Sequence, residues 1–313
     1  MLKKEYLIFI ALLGFLFSDF SSNVKVGFDS NILKYSNPEN PISSNFIKLG
    51  MGYKSKLNII DRKTQMSLNF VKSIYDLSEK SNYSFGLKLK QPLGKYRYLM
   101  LSYKYIDNIY LREYVDVDQG VLDSIYQGTN CSFDNSIIDI GYELPILKKK
   151  SKINIHYIYQ TQFYNKYFTE FDLELHGLKL KYIRQLKNNK SNIFSFRFNY
   201  AKNLTLNDFT LSTSYMDRGY SEYLFSLVEK DKLKGMSVDL VLRKYSSSII
   251  EDQLHLDRRH IDVRSSFWNS YKFFGKKNKL IFKYRKRVTY SPYSWVENIK
   301  SFDKLIIEHN MYF

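Results

Sequence analysis

The chain contains one cysteine, Cys131. A single thiol forms no intrachain disulfide, and no cysteine cluster is available to hold a metal. Long apolar runs are missing too. No interior stretch approaches the ~20 apolar residues that a spanning helix needs, and mean hydropathy is -0.38. A bundle of membrane-spanning helices is thereby disfavoured. There is no Gly-rich phosphate loop, no paired-cysteine metal site and no Gly-x-Ser-x-Gly. No cofactor is therefore expected.

Aromatic residues are abundant, with 28 Tyr and 23 Phe, 17% of the chain. A length of 313 residues suits one large domain or two small ones. Many aromatics at modest mean hydropathy fit a β-barrel in a membrane, where only alternate residues meet lipid. A large soluble β protein is the alternative that composition leaves open. The net charge of +17 ordinarily points to nucleic acid or an anionic membrane, but the inference depends on where the charge sits.

Lys3 and Lys4 precede an apolar run from Tyr6 to Phe17, followed by Ser18, Asp19, Phe20, Ser21 and Ser22. This is the layout of a secretory signal peptide over residues 1–22, which leaves 23–313 as a single domain. A short uncleaved anchor is the other reading, although the run is short for a span. No cysteine follows it, which argues against lipid attachment. Export also argues against a nucleic-acid partner.

From Val24 onward the sequence alternates. Val24, Val26 and Phe28 are interleaved with Lys25, Gly27 and Asp29, and Ile47, Leu49, Met51 and Tyr53 with Lys48, Gly50, Gly52 and Lys54. The same period of two recurs over 65–70, 83–90, 99–106, 137–144, 153–160, 194–200, 236–243, 261–267, 280–285 and the final residues. A period of two means a strand with two different faces. Over 171–182 the phase changes near Gly177, which predicts a bulge. A less regular strand falls within 211–228. The expectation is an all-β, antiparallel up-and-down barrel of about fourteen strands, an even number being usual for this class.

Links alternate between short (59–62, 91–95, 145–151, 185–191, 229–235, 275–279) and long, up to 107–135. The short ones are basic, with Arg62, Lys63, Lys95, Lys148, Lys149, Lys150, Lys187, Lys190, Lys230, Lys232, Lys234, Lys276, Lys277 and Lys279. The longest carries Asp107, Glu113, Asp116, Asp118, Asp123 and Asp134 against Arg112. This predicts one basic and one acidic rim. The acidic one is a place where divalent cations could bridge through oxygen ligands.

On the polar face the alternation puts Lys25, Lys48, Lys54, Lys88, Lys90, Lys104, Arg197, Arg243, Arg264, Lys283, Arg285 and Arg287 in the lumen. Opposing them are Asp29, Asp139, Glu143, Asp239 and Asp262. A basic pore lining favours anions. The alternative is a closed interior filled by mutual salt bridges. Gly beside Lys on this face suggests a wet lumen. For catalysis, His156 is a lumen histidine without a marked serine. His255, Asp257 and His260, with Glu251 and Asp252, form an enzyme candidate, a weak cation site or a solvated loop. No catalytic residue is assigned. Tyr290, Tyr293 and Trp295 suit an interfacial girdle.

At the C-terminus, Leu305, Ile307, His309, Met311 and Phe313 alternate with Glu308, Asn310 and Tyr312. The terminal Phe313, with Met311 two before it, resembles the assembly signal of outer-membrane β-barrel proteins. Residues 24–313 as a whole resemble a bacterial outer-membrane β-barrel of monomeric-porin size. The resemblance implies an integral outer-membrane location, contact with lipid and lipopolysaccharide, and insertion by the barrel-assembly machinery. It also implies a passive channel or transporter, here for a small anionic solute. The segment from Gly27 to Leu33 also looks like the first strand of barrels linked to surface-lipoprotein or exopolysaccharide export. A non-conducting accessory barrel that binds a partner is accordingly the second reading, and an outer-membrane hydrolase the third.

Overall fold

The computed structural model describes residues 20–34, 42–59, 62–113, 130–146, 150–166, 168–186, 189–204 and 216–313. Residues 1–19, most of the expected signal peptide, lie outside them. So do Lys148, Lys149, Lys187, Asp116, Asp118 and Asp123.

Fourteen strands account for nearly all of the fold. They are β1 (Phe20–Asp29), β2 (Ser44–Ile59), β3 (Arg62–Tyr75), β4 (Asn82–Gly94), β5 (Arg97–Glu113), β6 (Asn130–Ile146) and β7 (Ser151–Tyr164), followed by β8 (Leu173–Gln185), β9 (Ser191–Asn203), β10 (Tyr220–Lys230), β11 (Lys234–Tyr245), β12 (Arg259–Phe273), β13 (Lys276–Tyr290) and β14 (Phe302–Tyr312). One short helix, α1 (Ser294–Lys300), lies in the last link. Each strand pairs antiparallel with its sequence neighbours, and β1 pairs with β14 to close the barrel. Closure removes every unpaired sheet edge. The terminal residue takes part: Phe313 N donates to Ser22 O at 2.9 Å, and Ser22 N donates back to Phe313 O at 3.3 Å. β1 therefore begins at Phe20, inside the stretch that the sequence assigns to a leader.

The start of β1 and the end of β14 lie at one end of the barrel, together with the strand ends joined by the six short links. The strand ends joined by the longer links lie at the other end. These are called the terminus end and the loop end below. The tight turn at Phe274-Gly275 has φ values of 46° and 70°, the doubly left-handed geometry of a two-residue hairpin.

The expected bulge at Gly177 is absent. β8 pairs in unbroken register with both β7 and β9 across that residue. The change of phase has a different cause. Leu178, Leu180 and Tyr182 point outward, whereas Leu173 and Leu175 point inward and are buried with Ala201, Tyr220 and Tyr245. The inner face itself turns apolar toward the loop end. Register shifts lie in β5 instead, between Ile106 and Ile109 and between Tyr110 and Arg112, and in β4 between Pro92 and Gly94. Asp134 pins the first of them, accepting from Asn108 N at 2.9 Å and from Tyr105 Oη at 2.6 Å.

Outward positions carry exposed apolar side chains around the barrel, among them Phe85, Ile140, Leu178, Phe225, Val263 and Leu305. An exposed apolar belt of this extent is far larger than the few hundred Å² that a soluble monomer tolerates. Lipid is the solvent that matches it.

Candidate functional site: the basic lumen

Strand register fixes which side chains share a face, because antiparallel partners point to the same side. Lys25 lies opposite Lys48, Lys54 opposite Ser67, Lys88 opposite Ser102, and Lys104 opposite Gly86. Lys90 lies opposite Gln65, and Lys179 opposite Arg197. Arg243 lies opposite Glu222, Arg264 opposite Arg285, Arg287 opposite Asp262, and Lys283 opposite Ser266. All twelve basic residues predicted for the lumen sit on the inner face. Lys152, Lys179, Lys181 and Lys304 join them there, as does Glu222.

The inner face divides into two walls. Among the described residues its arginines, Arg197, Arg243, Arg264, Arg285 and Arg287, all come from β9–β13. β1–β8 contribute lysines, joined by Lys283 of β13 and Lys304 of β14.

On the arginine wall, side chains interlock. Asp262 is 1% exposed. It accepts from Arg285 Nε at 2.9 Å and Arg287 Nη2 at 3.0 Å, and pairs with Arg264 Nη2 at 3.3 Å. Glu222 accepts from Arg243 Nε at 2.9 Å and Asn199 Nδ2 at 2.8 Å, with Arg197 at 3.6 Å. Aromatic faces back the guanidinium groups. Arg243 lies 3.8 Å from the Tyr220 ring centre, and Arg285 and Arg287 lie 5.1 and 5.2 Å from that of Phe302. The planar fork of arginine suits both a shared carboxylate and a stacked ring.

The lysine wall is looser. Glu143 takes Lys90 and Lys152, each at 3.1 Å, and Glu308 takes Lys283 at 2.7 Å and Lys25 at 3.5 Å. Lys304 reaches Asp29 at 2.7 Å, and Lys48 lies over the rings of Phe46 and Tyr75. Lys54, Lys88, Lys104, Lys179 and Lys181 have no carboxylate within 4.0 Å among the described residues. Lys54, Lys88 and Lys90 line a cavity of about 850 Å³ with Ser67, Asp139 and His156. His156 is tied to Asp139 at 2.6 Å. Inner glycines do not uniformly mean free space. A Cβ on Gly86 would meet nothing closer than Tyr103 O at 3.8 Å, whereas on Gly177 it would lie 2.5 Å from Asn199 Oδ1.

The loop end is partly filled. Cys131, Phe133, Tyr164 and Phe168 form a buried cluster there, beside the one around Leu173 and Tyr245. The enzyme candidate resolves into structural contacts. Asp252 is buried and accepts from Ser247 Oγ at 2.9 Å and from the backbone of Asp217 at 2.8 Å, while His255 Nδ1 bonds to it at 2.8 Å. The serine thus binds the carboxylate rather than the imidazole. His260 Nδ1 bonds Thr289 Oγ1 at 2.9 Å. Burial pushes the His255 imidazole down to about 4, against the opposing pull of Asp252. Burial likewise lowers the Lys80 amine to about 8, with the Lys304 charge second. No group of three His, Cys, Asp or Glu side chains suited to a metal occurs among the described residues. Asp107 and Asp134 serve backbone amides of Tyr83 and Asn108.

Sequence reading missed Lys179 and Lys181 because the supposed bulge scrambled the face assignment of β8. Straight counting from Gln185 back to Leu173 would have recovered them. Arg218 and Arg258 lie in links, where alternation gives no signal.

No protein-family model matches the chain, and no curated protein sequence matches it. Solved structures do. The outer membrane channel DcaP of Acinetobacter baumannii is 6% identical, with 94% of this chain and 96% of that one covered at a TM-score of 0.51. OccAB4 of Acinetobacter baumannii is 11% identical, with coverages of 94% and 97% at a TM-score of 0.48. At such identities the likeness concerns the fold, which is that of bacterial outer-membrane β-barrels.

Proposed function

We propose that this chain is an integral channel of the bacterial outer membrane that passes small anionic solutes. One observation carries the reading: Lys54 and Lys88, with no carboxylate within 4.0 Å among the described residues, line a cavity of about 850 Å³ inside a closed barrel whose outer belt is apolar. Fixed positive charge lining a pore admits anions in preference to cations. In this reading the terminus end, with its basic turns, faces the periplasm. The apolar belt meets lipid, the loop rim meets lipopolysaccharide, and the β1–β14 seam is closed by the barrel-assembly machinery. The test is conductance of the purified protein in a planar bilayer under a potassium chloride gradient. A reversal potential of the sign set by chloride is expected. Absence of conductance would overturn the proposal.

A second reading has its own support. The two buried clusters at the loop end narrow the lumen from that side, as a non-conducting accessory barrel would require. Zero conductance from well-folded protein would favour it. A hydrolase has less behind it: among the described residues Ser247 bonds the Asp252 carboxylate and Thr289 bonds His260, and neither contact sets an imidazole between a hydroxyl and a carboxylate.

A further inference from the structure

A cluster of positive charge surrounds a cavity of about 690 Å³ beneath the loop-end links. Among the described residues, six arginines and three lysines line it, and no Asp or Glu does. The nearest carboxylates among the described residues sit behind the wall and are fewer than the arginines they serve. Asp262 is shared by three of the arginines, and Glu222 by Arg243 and Arg197. Arg218 and Arg258 have no carboxylate within ion-pair distance among the described residues. Arg218 donates to the Phe171 carbonyl at 2.9 Å. Arg258 is 4% exposed, and its Nε and Nη1 make no hydrogen bond.

These two side chains are also held in place. The Arg258 guanidinium lies 3.8 Å from the Tyr245 ring centre, and that of Arg218 lies 4.7 Å from Tyr164 and 5.1 Å from Phe171. Stacking occupies the flat face of a guanidinium and leaves its N–H edge for an acceptor. A buried guanidinium with unused donors, in a chamber with surplus positive charge, calls for a multivalent anion. A phosphoryl group fits that demand better than a carboxylate. It offers three terminal oxygens and about two charges to donors arriving from several sides, where a carboxylate offers two oxygens and one charge. The volume falls within the roughly 300–1,000 Å³ usual for small-molecule sites.

We propose that this chamber binds a small phosphorylated solute, gripped by Arg258 and Arg218 and faced by Arg285 and Arg287. As a statement of what the channel carries, this rests on the anion-channel reading. As a binding site it is tested apart from conduction.

The experiment is calorimetric titration of the full barrel in detergent with pyrophosphate, inorganic phosphate and acetate at matched ionic strength. Saturable pyrophosphate binding is expected, with acetate weaker by about tenfold or more. Arg258→Ala should weaken pyrophosphate by about tenfold, as loss of a charged hydrogen-bond donor implies. Arg258→Lys should recover only part, because the fork is gone. Lys232→Ala, which removes an equal charge from a turn, should leave binding unchanged. If Arg258→Ala does not fold, Arg218→Ala carries the same expectation. Absence of saturable binding overturns the proposal, as does equal weakening by Lys232→Ala. A non-conducting barrel that still binds pyrophosphate would uphold the site and sink the channel. A conducting barrel without saturable binding would do the reverse.

Discussion

The two walls of the lumen carry the same sign of charge but hold it differently. From β9 to β13 each inward arginine reaches a buried carboxylate, and several lie against a ring. From β1 to β8 Lys54, Lys88, Lys104, Lys179 and Lys181 reach none. The boundary is sharp: Lys179 of β8 faces Arg197 of β9. The chemistry of the side chains accounts for the difference. One carboxylate can serve several guanidinium forks at once, whereas an ammonium is a strongly hydrated point charge that keeps its water. The arginine wall is therefore read as architecture and the lysine wall as available field.

The contrast breaks most visibly at Asp262. Removing it leaves Arg264, Arg285 and Arg287 in mutual repulsion in a confined space. Asp262→Ala should destabilise the barrel by roughly 3–5 kcal/mol, the usual result of removing one partner of a buried ion pair. Lys88→Ala on the opposite wall should change stability by less than about 0.5 kcal/mol. Urea unfolding in detergent, followed by tryptophan fluorescence, compares the two. Equal effects would abolish the distinction between the walls.

The loop end adds a pH dependence of its own. His255 is buried against Asp252, with the Tyr245 ring tilted against it at 5.4 Å and the charges of Arg258 and Arg218 nearby. Its proton affinity falls from an ordinary 6.5 to about 4 in the folded state. The unfolded link thus binds the proton more readily between those values. Protection is complete above pH 6.5 and declines as pH falls toward 4, by up to about 3 kcal/mol. Hydrogen exchange of the 246–258 amides at pH 7 and pH 4.5 should show this loss. His255→Asn should flatten the difference. An unchanged slope in that variant would remove His255 from the account.

Space differs between the walls as well. At the seam with the arginine wall, Gly177 of β8 abuts Asn199 of β9, which is itself fixed by Glu222. Gly177→Ala should destabilise by about 1–3 kcal/mol through overpacking. On the lysine side Gly86 has room for a methyl group, so Gly86→Ala should be neutral or stabilise by a few tenths up to ~1 kcal/mol. The same unfolding measurement decides, and a reversed order would mean that the lysine wall is the tighter one.

These comparisons also show how far the sequence could be read. A period of two marked strands and faces because lipid and lumen impose opposite demands on neighbouring residues. It failed at Leu173 and Leu175, where the inner face is apolar and the rule reverses. It said nothing of Arg218 and Arg258, which reach the lumen from links. Nor could it show that Asp262 serves three arginines, because one of them, Arg264, lies on its own strand and the other two on β13. That grouping depends on register, which alternation alone leaves undetermined.

The smallest effect is the one closest to function. If Lys54, Lys88 and Lys104 supply the field that selects anions, changing all three to Gln should reduce the anion-to-cation permeability ratio several-fold, on the order of 1 kcal/mol in selectivity. Arg285→Gln should move it less, because Asp262 already offsets much of that charge. Reversal potentials in a bilayer under a potassium chloride gradient measure both. High salt should shrink the difference, since a wet wall is screened over about 10 Å at 0.1 M. A larger shift from Arg285→Gln than from the triple lysine variant would place the selective field at the arginine wall. The lysines would then be solvated surface that happens to face inward.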